Sequence, residues 1–159
     1  DQYNKHPTNI QTDINMICQL SLEVAKMQKQ DTVEFLFKPE REKLIILSNP
    51  ERISQLLANL AHNAIKFTTH GSIELTYSVL EAEKKLEISV TDTGIGVPKE
   101  KQEKVFERFY KMHSFSQGTG LGLSISRTIA EKLGGSLHID SSYTDGCRMV
   151  LNLPLVYAE

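Results

Sequence analysis

The stretch NPERISQLLANLAHNAIKF, residues 49–67, has the most regular pattern in the chain and decides its architecture. Asn49 is a residue type that caps helices, and Pro50 suits the first helical position. Apolar residues recur at three- and four-residue steps, and they predict a buried helical face formed by Ile53, Leu56, Leu57, Leu60 and Ala64. We therefore expect a helix that ends near Thr68 and packs this face on a core.

Three polar side chains lie beside that apolar face rather than opposite it. At 100° per residue, Asn63 lies about 40° and Lys66 about −20° from Asn59, and Phe67 falls inside the apolar arc. An amide oxygen suits Mg²⁺ and a lysine ammonium pairs with phosphate, so this stripe has the composition of a cleft edge. The alternative is a helix with ordinary surface amides.

The same patterns extend along the chain in both directions. They predict two further helices at residues 13–30 and 121–133, and a short one around residues 99–106. The side chains expected inward on the first helix are Ile14, Ile17, Cys18, Ser21, Val24 and Ala25. Alternation predicts strands at residues 33–37, 44–47, 73–79, 86–90, 136–140 and 147–153. This order indicates an α+β two-layer sandwich, in which a mixed, mostly antiparallel five-stranded sheet packs on three helices in one domain, residues 1–159.

Composition excludes several classes of protein. The chain has 159 residues, a net charge of −2 and 40% hydrophobic residues, which is typical of a folded soluble domain. It has no basic block for nucleic acid and no apolar run of about 20 residues for a bilayer, so neither partner is expected. No signal peptide is visible at the start of the chain. Cys18 and Cys147 lack metal spacing and are expected to be buried thiols in a reducing compartment.

Asp92 follows a strand and shares the parity of its apolar residues. Because Leu86, Ile88 and Val90 are expected to face the core, the carboxylate of Asp92 should face it too. An unpaired charge there would cost several kcal/mol, so it needs a partner. A carboxylate accepts a hydrogen bond from an amino group such as that of adenine. The alternative, equally supported by this segment alone, is an aspartate that caps its own turn.

A glycine-rich segment, residues 117–123, leads into the last predicted helix. Free amides at a helix N-terminus favour an anion, but the spacing matches neither a dinucleotide fingerprint nor a Walker loop. The polar segment before it, residues 110–117, suits a mobile lid. Structural glycines in a tight turn are the alternative.

In combination, these four segments resemble the motifs of sensor histidine kinases. Residues 59–67 resemble the N box, residues 92–96 the G1 box, residues 106–111 (FERFYK) the F box and residues 118–123 the G2 box. The resemblance covers nearly the whole chain and implies the Bergerat-type ATP-binding fold of the GHKL group, with ATP held under a lid. It also implies ATP and Mg²⁺ as cofactors.

The resemblance assigns a role to each matching residue of the N and G1 boxes. Asn63 would coordinate Mg²⁺, Asn59 would support that shell, and Lys66 would reach phosphate or ribose. Phe67 would line the nucleotide pocket. Asp92 would bind the adenine amino group.

The other two boxes would complete the site. Lys111 is the candidate for the γ-phosphate, and Arg108 would act similarly or fix the F box, so these two and Asn59 form the expected catalytic set. The remaining residues expected around the nucleotide are Gly94, Ile95, Gly96, Phe109, Tyr110, Gly118, Thr119, Gly120, Leu121, Gly122 and Leu123. The glycines of the G1 box would let the backbone pass beneath the base, and those of the G2 box would give the lid freedom and amides for phosphate.

Two departures define the expected activity. Asn59 stands where hydrolytic relatives carry a glutamate that activates water, and an amide does not take that proton, so efficient hydrolysis is not expected. The five histidines also lack the context of a phosphoacceptor box. The resemblance then implies a catalytic fragment, monomeric alone, that phosphorylates a histidine on the dimerisation and phosphoacceptor domain of its own homodimeric parent.

The same resemblance implies a response regulator receiver domain as a further partner, no direct membrane contact, and a cytoplasmic place in a membrane-anchored sensor. Two alternatives stay open. One is a conformational ATPase of the GHKL group, and the other is a pseudokinase that senses nucleotide without phosphoryl transfer.

Overall fold

The computed structural model describes residues 8–28, 32–110 and 122–158. In order, the regular elements within these ranges are β1 (Ile10–Asp13), α1 (Ile14–Gln28), β2 (Val33–Lys38), β3 (Ile45–Ser48), α2 (Pro50–Phe67), β4 (Gly71–Leu80), β5 (Lys85–Asp92), α3 (Gly122–Lys132), β6 (Ser136–Ile139) and β7 (Cys147–Pro154). Two short 3₁₀ turns, Lys99–Lys101 and Lys104–Phe106, follow β5.

The main sheet has five strands in the order β2-β4-β5-β7-β6. The β2–β4 pair is parallel and the other three pairs are antiparallel. The predicted α+β sandwich with a mixed, mostly antiparallel five-stranded sheet and three helices is therefore confirmed. The strand predicted at residues 44–47 lies outside this sheet, since β3 pairs with β1 in a separate antiparallel ribbon.

One face of the sheet and the helices enclose the core. Alternate residues of the central strands are buried, among them Leu75, Ile88 and Leu151, while neighbours such as Glu74 and Thr76 are partly exposed on the other face. This alternation is what a sheet with one covered face requires. The free thiols of Cys18 and Cys147 are buried as expected, and burial raises the pKa of each to about 12.

Helix α2 forms as its sequence predicts. The Asn49 side chain accepts a hydrogen bond from Arg52 N at 3.0 Å, and Pro50 occupies the first turn. The buried side chains are Ile53, Leu56, Leu57, Leu60, Ala61, Ala64 and Ile65, which include the whole predicted face. At the other end Thr68 N bonds to Ile65 O at 3.4 Å, and the helix stops there.

Three local predictions are wrong. The sequence analysis does not predict strand β1. Its backbone hydrogen bonds go to β3, more than 30 residues away along the chain, so no local pattern indicates a strand there. The expected short helix is two 3₁₀ turns, a common form for brief helical pieces. Val24 is 51% exposed and Leu22 is buried instead, because α1 packs on α2 and β2 with a stripe rotated from the predicted one. No described helix is long and apolar enough to cross a membrane.

Candidate functional site

Asp92 ends β5 with its side chain turned towards the core, as its parity predicts, and it is only 4% exposed. Its Oδ1 accepts hydrogen bonds from Gly94 N at 2.9 Å and Cys147 N at 3.1 Å. Within residues 8–28, 32–110 and 122–158 it has no ion pair, and no hydrogen bond reaches its Oδ2. Asp92 therefore does cap its own turn, as the alternative interpretation has it, but only Oδ1 of the carboxylate takes part.

Burial dominates the electrostatics of this carboxyl. It raises the pKa of Asp92 above the usual aspartate value, although the N–H groups of Gly94 and Cys147 act in the opposite direction. Two neutral amides stabilise an anion less than a cation would. A ligand that donates a hydrogen bond to Oδ2 would therefore find an acceptor that the described protein leaves unused.

The loop after Asp92 rests directly on the end of α2. Ile95 N donates to Phe67 O at 3.1 Å. A Cβ on Gly94 would lie 2.1 Å from Phe67 O and 2.8 Å from Thr68 Oγ1. The glycine expected to admit a ligand is thus first required for protein packing, and this packing brings the N and G1 boxes together. Gly96 has φ +75°, a conformation that favours glycine, and Ile95 is 60% exposed.

The polar stripe of α2 lies at the border of the buried face. Asn59 is half-buried, and its Nδ2 donates to Ser126 Oγ of α3 at 3.1 Å. Asn63 is half-buried one turn further on, and Lys66 is exposed with its Nζ 5.5 Å from the centre of the Phe67 ring. The helix therefore presents two amides, an ammonium and a ring on one side, as predicted.

The F box begins in the protein interior and moves outward. Phe106 is buried, and the Arg127 guanidinium of α3 lies 3.9 Å from the centre of its ring. Phe109 is 63% exposed with φ +65°, and the Arg108 guanidinium lies 5.5 Å from its ring centre. A bulky residue in this backbone region is uncommon and marks a strained turn. Tyr110 is half-buried.

The structure describes only parts of the F box and the G2 box. Lys111, Gly118, Thr119, Gly120 and Leu121 lie outside the described residues. Gly122 begins α3 and is exposed, and Leu123 packs partly on the core. The predicted lid and its contacts with phosphate therefore remain predictions.

Several residues of this region were not predicted from the sequence. Ser126 is fully buried and binds Asn59, which lies 67 residues away. Tyr143 Oη donates to Asp92 O at 3.1 Å, and Cys147 holds its carboxylate. Each contact joins segments at least 51 residues apart, and no local spacing signals them.

The donor set fits a metal bound mainly by a ligand rather than by the protein. No cluster of three or more histidine, cysteine, aspartate or glutamate side chains occurs among the described residues. Mg²⁺ keeps several waters and is held by substrate phosphates with one or two protein oxygens. The amide of Asn63 is such an oxygen donor.

Comparison with known sequences identifies the family. The profile described as "Histidine kinase-, DNA gyrase B-, and HSP90-like ATPase" matches residues 48–157, and the chain belongs to this family. It is 40% identical over 121 residues to the autoinducer 2 sensor kinase/phosphatase LuxQ of Vibrio cholerae, covering 72% of this chain and 14% of that protein. It is 36% identical over 134 residues to the sensor histidine kinase WalK of Bacillus subtilis, covering 81% of this chain and 22% of that protein.

Solved structures agree with this assignment. Full-length ShkA in complex with AMPPNP superposes with a TM-score of 0.84 at 27% identity, over 94% of this chain and 31% of that one. The catalytic domain of histidine kinase ThkA gives a TM-score of 0.79 at 28% identity, over 92% of this chain and 99% of that one. The fold predicted from the motifs is thus the fold of histidine kinase catalytic domains.

The similarity concerns one part of larger proteins. The chain spans only 14% of the length of LuxQ and 22% of the length of WalK. By contrast, it corresponds to nearly the whole of the isolated ThkA catalytic domain.

Proposed function

We propose that this domain binds Mg²⁺-ATP and donates the γ-phosphoryl group to a histidine on a separate dimerisation and phosphoacceptor domain. The buried carboxylate of Asp92 carries this proposal. It has one oxygen held by two backbone amides and the other without a hydrogen bond in the described chain. An adenine amino group would supply the missing donor, and the adjoining loop bonds to the main chain of Phe67 through Ile95 N.

The surrounding residues take complementary roles. Asn63 would ligate Mg²⁺ through its amide oxygen, and Lys66 would pair with phosphate or ribose. Asn59, fixed by Ser126, would keep the metal side of α2 in place. Lys111, with Arg108, would neutralise charge on the γ-phosphate. In this arrangement the residues orient the bound nucleotide and neutralise the charge of its phosphates, which is the main contribution of proteins to phosphoryl transfer.

An amide at position 59 favours transfer of the phosphoryl group to a histidine over hydrolysis of ATP by water. Bound Mg²⁺-ATP supplies a phosphoryl group whose bond to the β-phosphate oxygen breaks while a bond to the attacking atom forms. Water would need a base for its proton at this point, and the amide of Asn59 is not one. The imidazole of an acceptor histidine attacks through a neutral nitrogen and has no such need.

The test is transfer to an added acceptor. The domain, radiolabelled ATP and Mg²⁺ are mixed with the isolated dimerisation and phosphoacceptor domain of a related kinase. We expect an acid-labile label on the acceptor, and Asn63→Ala should lower its rate about tenfold or more through lost metal binding. Gln55→Ala, an amide on the same helix bonded to Arg52, serves as the control and should transfer normally.

Other outcomes would favour the alternatives. Rapid ATP hydrolysis without label on the acceptor would indicate a conformational ATPase. Nucleotide binding with neither hydrolysis nor transfer, across several acceptors, would indicate a pseudokinase module.

The wider setting belongs to the same proposal. The acceptor would lie in the homodimeric parent of this domain, and a response regulator receiver domain would take the phosphoryl group next. The domain itself would act as a monomer on the cytoplasmic side of a membrane-anchored sensor, without direct contact with lipid or nucleic acid.

A further inference from the structure

The turn between β6 and β7 and the first residue of β7 lie against Asp92. Tyr143 Oη donates to the main-chain oxygen of Asp92 at 3.1 Å, while Cys147 N donates to its Oδ1, also at 3.1 Å. Gly146 lies so close that a Cβ there would be 2.0 Å from Asp92 O. The backbone of Asp92 is therefore held by the turn through Tyr143, and its carboxylate by the start of β7 through Cys147.

The turn is itself held in one conformation. Asp140 Oδ1 accepts from Ser142 N at 2.9 Å and from Ser142 Oγ at 2.6 Å. Tyr143 N donates to Asp140 O at 3.2 Å. Arg148 of β7 donates to the other oxygen of Asp140 and to Ser89 Oγ, which ties the turn to the outer face of the sheet. Because these bonds hold the turn in one conformation, they keep the Tyr143 hydroxyl within hydrogen-bond distance of Asp92 O.

The hydroxyl of Tyr143 is suited to a constant donor role. The side chain is half-buried. Burial, followed by the charges of Asp145 and Asp92, raises the pKa of Tyr143 above the usual tyrosine value. The hydroxyl therefore stays protonated at neutral pH. Since it donates to a main-chain oxygen, it acts on Asp92 rather than on a ligand.

We propose that Tyr143 is a positioning residue for base recognition, which holds the end of β5 so that Asp92 Oδ2 faces an amino group of the bound base. This inference rests on the proposed function, because it concerns the nucleotide contact of Asp92. It predicts that removing one hydroxyl will change discrimination between purines, and not only stability.

The experiment compares two tyrosines that each lose a hydroxyl. Tyr143→Phe keeps the ring but removes the bond to Asp92. Tyr77→Phe is the matched control, because its hydroxyl donates to Asn15 Oδ1 at 2.6 Å and anchors α1, with no contact to Asp92. The dissociation constants of non-hydrolysable analogues of ATP and of inosine triphosphate, which lacks the amino group, are measured by calorimetry with Mg²⁺.

We expect Tyr143→Phe to weaken the ATP analogue about threefold to tenfold, the value of one hydrogen bond, and to leave the inosine analogue nearly unchanged. The preference for adenine would then shrink. Tyr77→Phe should lower the Tm while the ratio of the two dissociation constants stays at the wild-type value.

An unchanged ratio in Tyr143→Phe, or an equal loss for both nucleotides, would overturn the inference. If this variant does not fold, Asp140→Asn is used instead, because it loosens the same turn without touching Asp92. It too should reduce the preference for the ATP analogue over the inosine triphosphate analogue. Failure of the inference is separable from failure of the proposed function through Asp92→Asn. If that variant loses adenine preference and Tyr143→Phe does not, only the positioning role is wrong.

Discussion

The carboxylate of Asp92 serves the proposed binding of nucleotide, but its burial lowers the stability of the free protein. Its charge is almost completely removed from solvent, and among the described residues only two backbone N–H groups stabilise it. A protein selected for stability alone would place a neutral side chain there. In the proposed function, the bound nucleotide completes the hydrogen bonds of this carboxylate.

This opposition gives a pH-dependent prediction for Asp92→Asn in the absence of nucleotide. Because burial raises the pKa of Asp92, the fold favours the protonated carboxyl. Its contribution to stability is complete below the unfolded pKa of about 3.9 and is lost as the pH rises through the folded pKa. At pH 7 the Asn variant should therefore have the higher Tm, and the difference should vanish as the pH falls towards that region.

Thermal unfolding across this pH range checks the prediction. Asp145→Asn, which changes an exposed aspartate in the β6–β7 turn, is the control and should show no such gain. A lower Tm for Asp92→Asn at neutral pH would mean that the carboxylate is well paired in the free protein, contrary to this account.

Gly94 gives a second prediction at the residue scale. A Cβ at this position would meet Phe67 O at 2.1 Å, so Gly94→Ala should push the loop away from α2 and lower the free energy of unfolding by about 1–3 kcal/mol. Among the described residues, no atom lies within 4 Å of a Cβ at Gly122, in the first turn of α3. Chemical denaturation should find Gly122→Ala neutral or up to about 1 kcal/mol more stable. Similar costs for the two alanines would contradict the packing described here.

At the scale of elements, α3 links the two halves of the site. Ser126 binds Asn59 on α2, and the next residue, Arg127, binds the turn that begins the F box. Arg127 also donates twice to Leu137 O of β6, at 3.1 and 2.9 Å. One helix thus holds both Asn59 and the residues that lead into the predicted lid.

The contacts of Arg127 differ in strength, which yields a third prediction. Its partner Glu103 has a side chain that is 78% exposed, so Glu103→Ala should cost at most about 1 kcal/mol. Arg127→Ala also removes the bonds to Leu137 O and the contact with Phe106, and it should cost about 2–3 kcal/mol. Equal losses in chemical denaturation would show that the exposed ion pair, rather than the buried contacts, holds the F box.

How far the sequence predicts these elements depends on the range of the interactions that form them. Helix α2 follows from a local cap and a local apolar period, and both were predicted. The inward parity of Asp92 was likewise readable from its strand. The pairing of β1 with β3 and the Asn59–Ser126 bond each join segments that are far apart in the chain, so no local pattern predicts them.

The rotation of α1 illustrates the same limit. Its sequence offers apolar residues around most of the helix, and packing on α2 and β2 selects Leu22 over Val24. The four motifs indicated the family because each is a short local pattern. The packing around them depends on contacts between distant segments, and the sequence predicts it less well.

At the scale of the whole molecule, the chain corresponds to one part of larger relatives. It matches almost the full length of the isolated ThkA catalytic domain, yet it spans only 14% of LuxQ and 22% of WalK. The five histidines lack the sequence context of a phosphoacceptor box. In the proposed function, the acceptor histidine therefore lies on a second domain, while the nucleotide binds to this one.

Calorimetric titration of the intact domain with Mg²⁺ and non-hydrolysable analogues of ATP and GTP tests the central claim most directly. We predict one site per chain that prefers the adenine analogue about tenfold or more, and an Asp92→Asn variant in which both affinity and preference fall. Equal affinities for the two analogues, or an Asp92→Asn variant that binds ATP as the wild type does, would contradict the account.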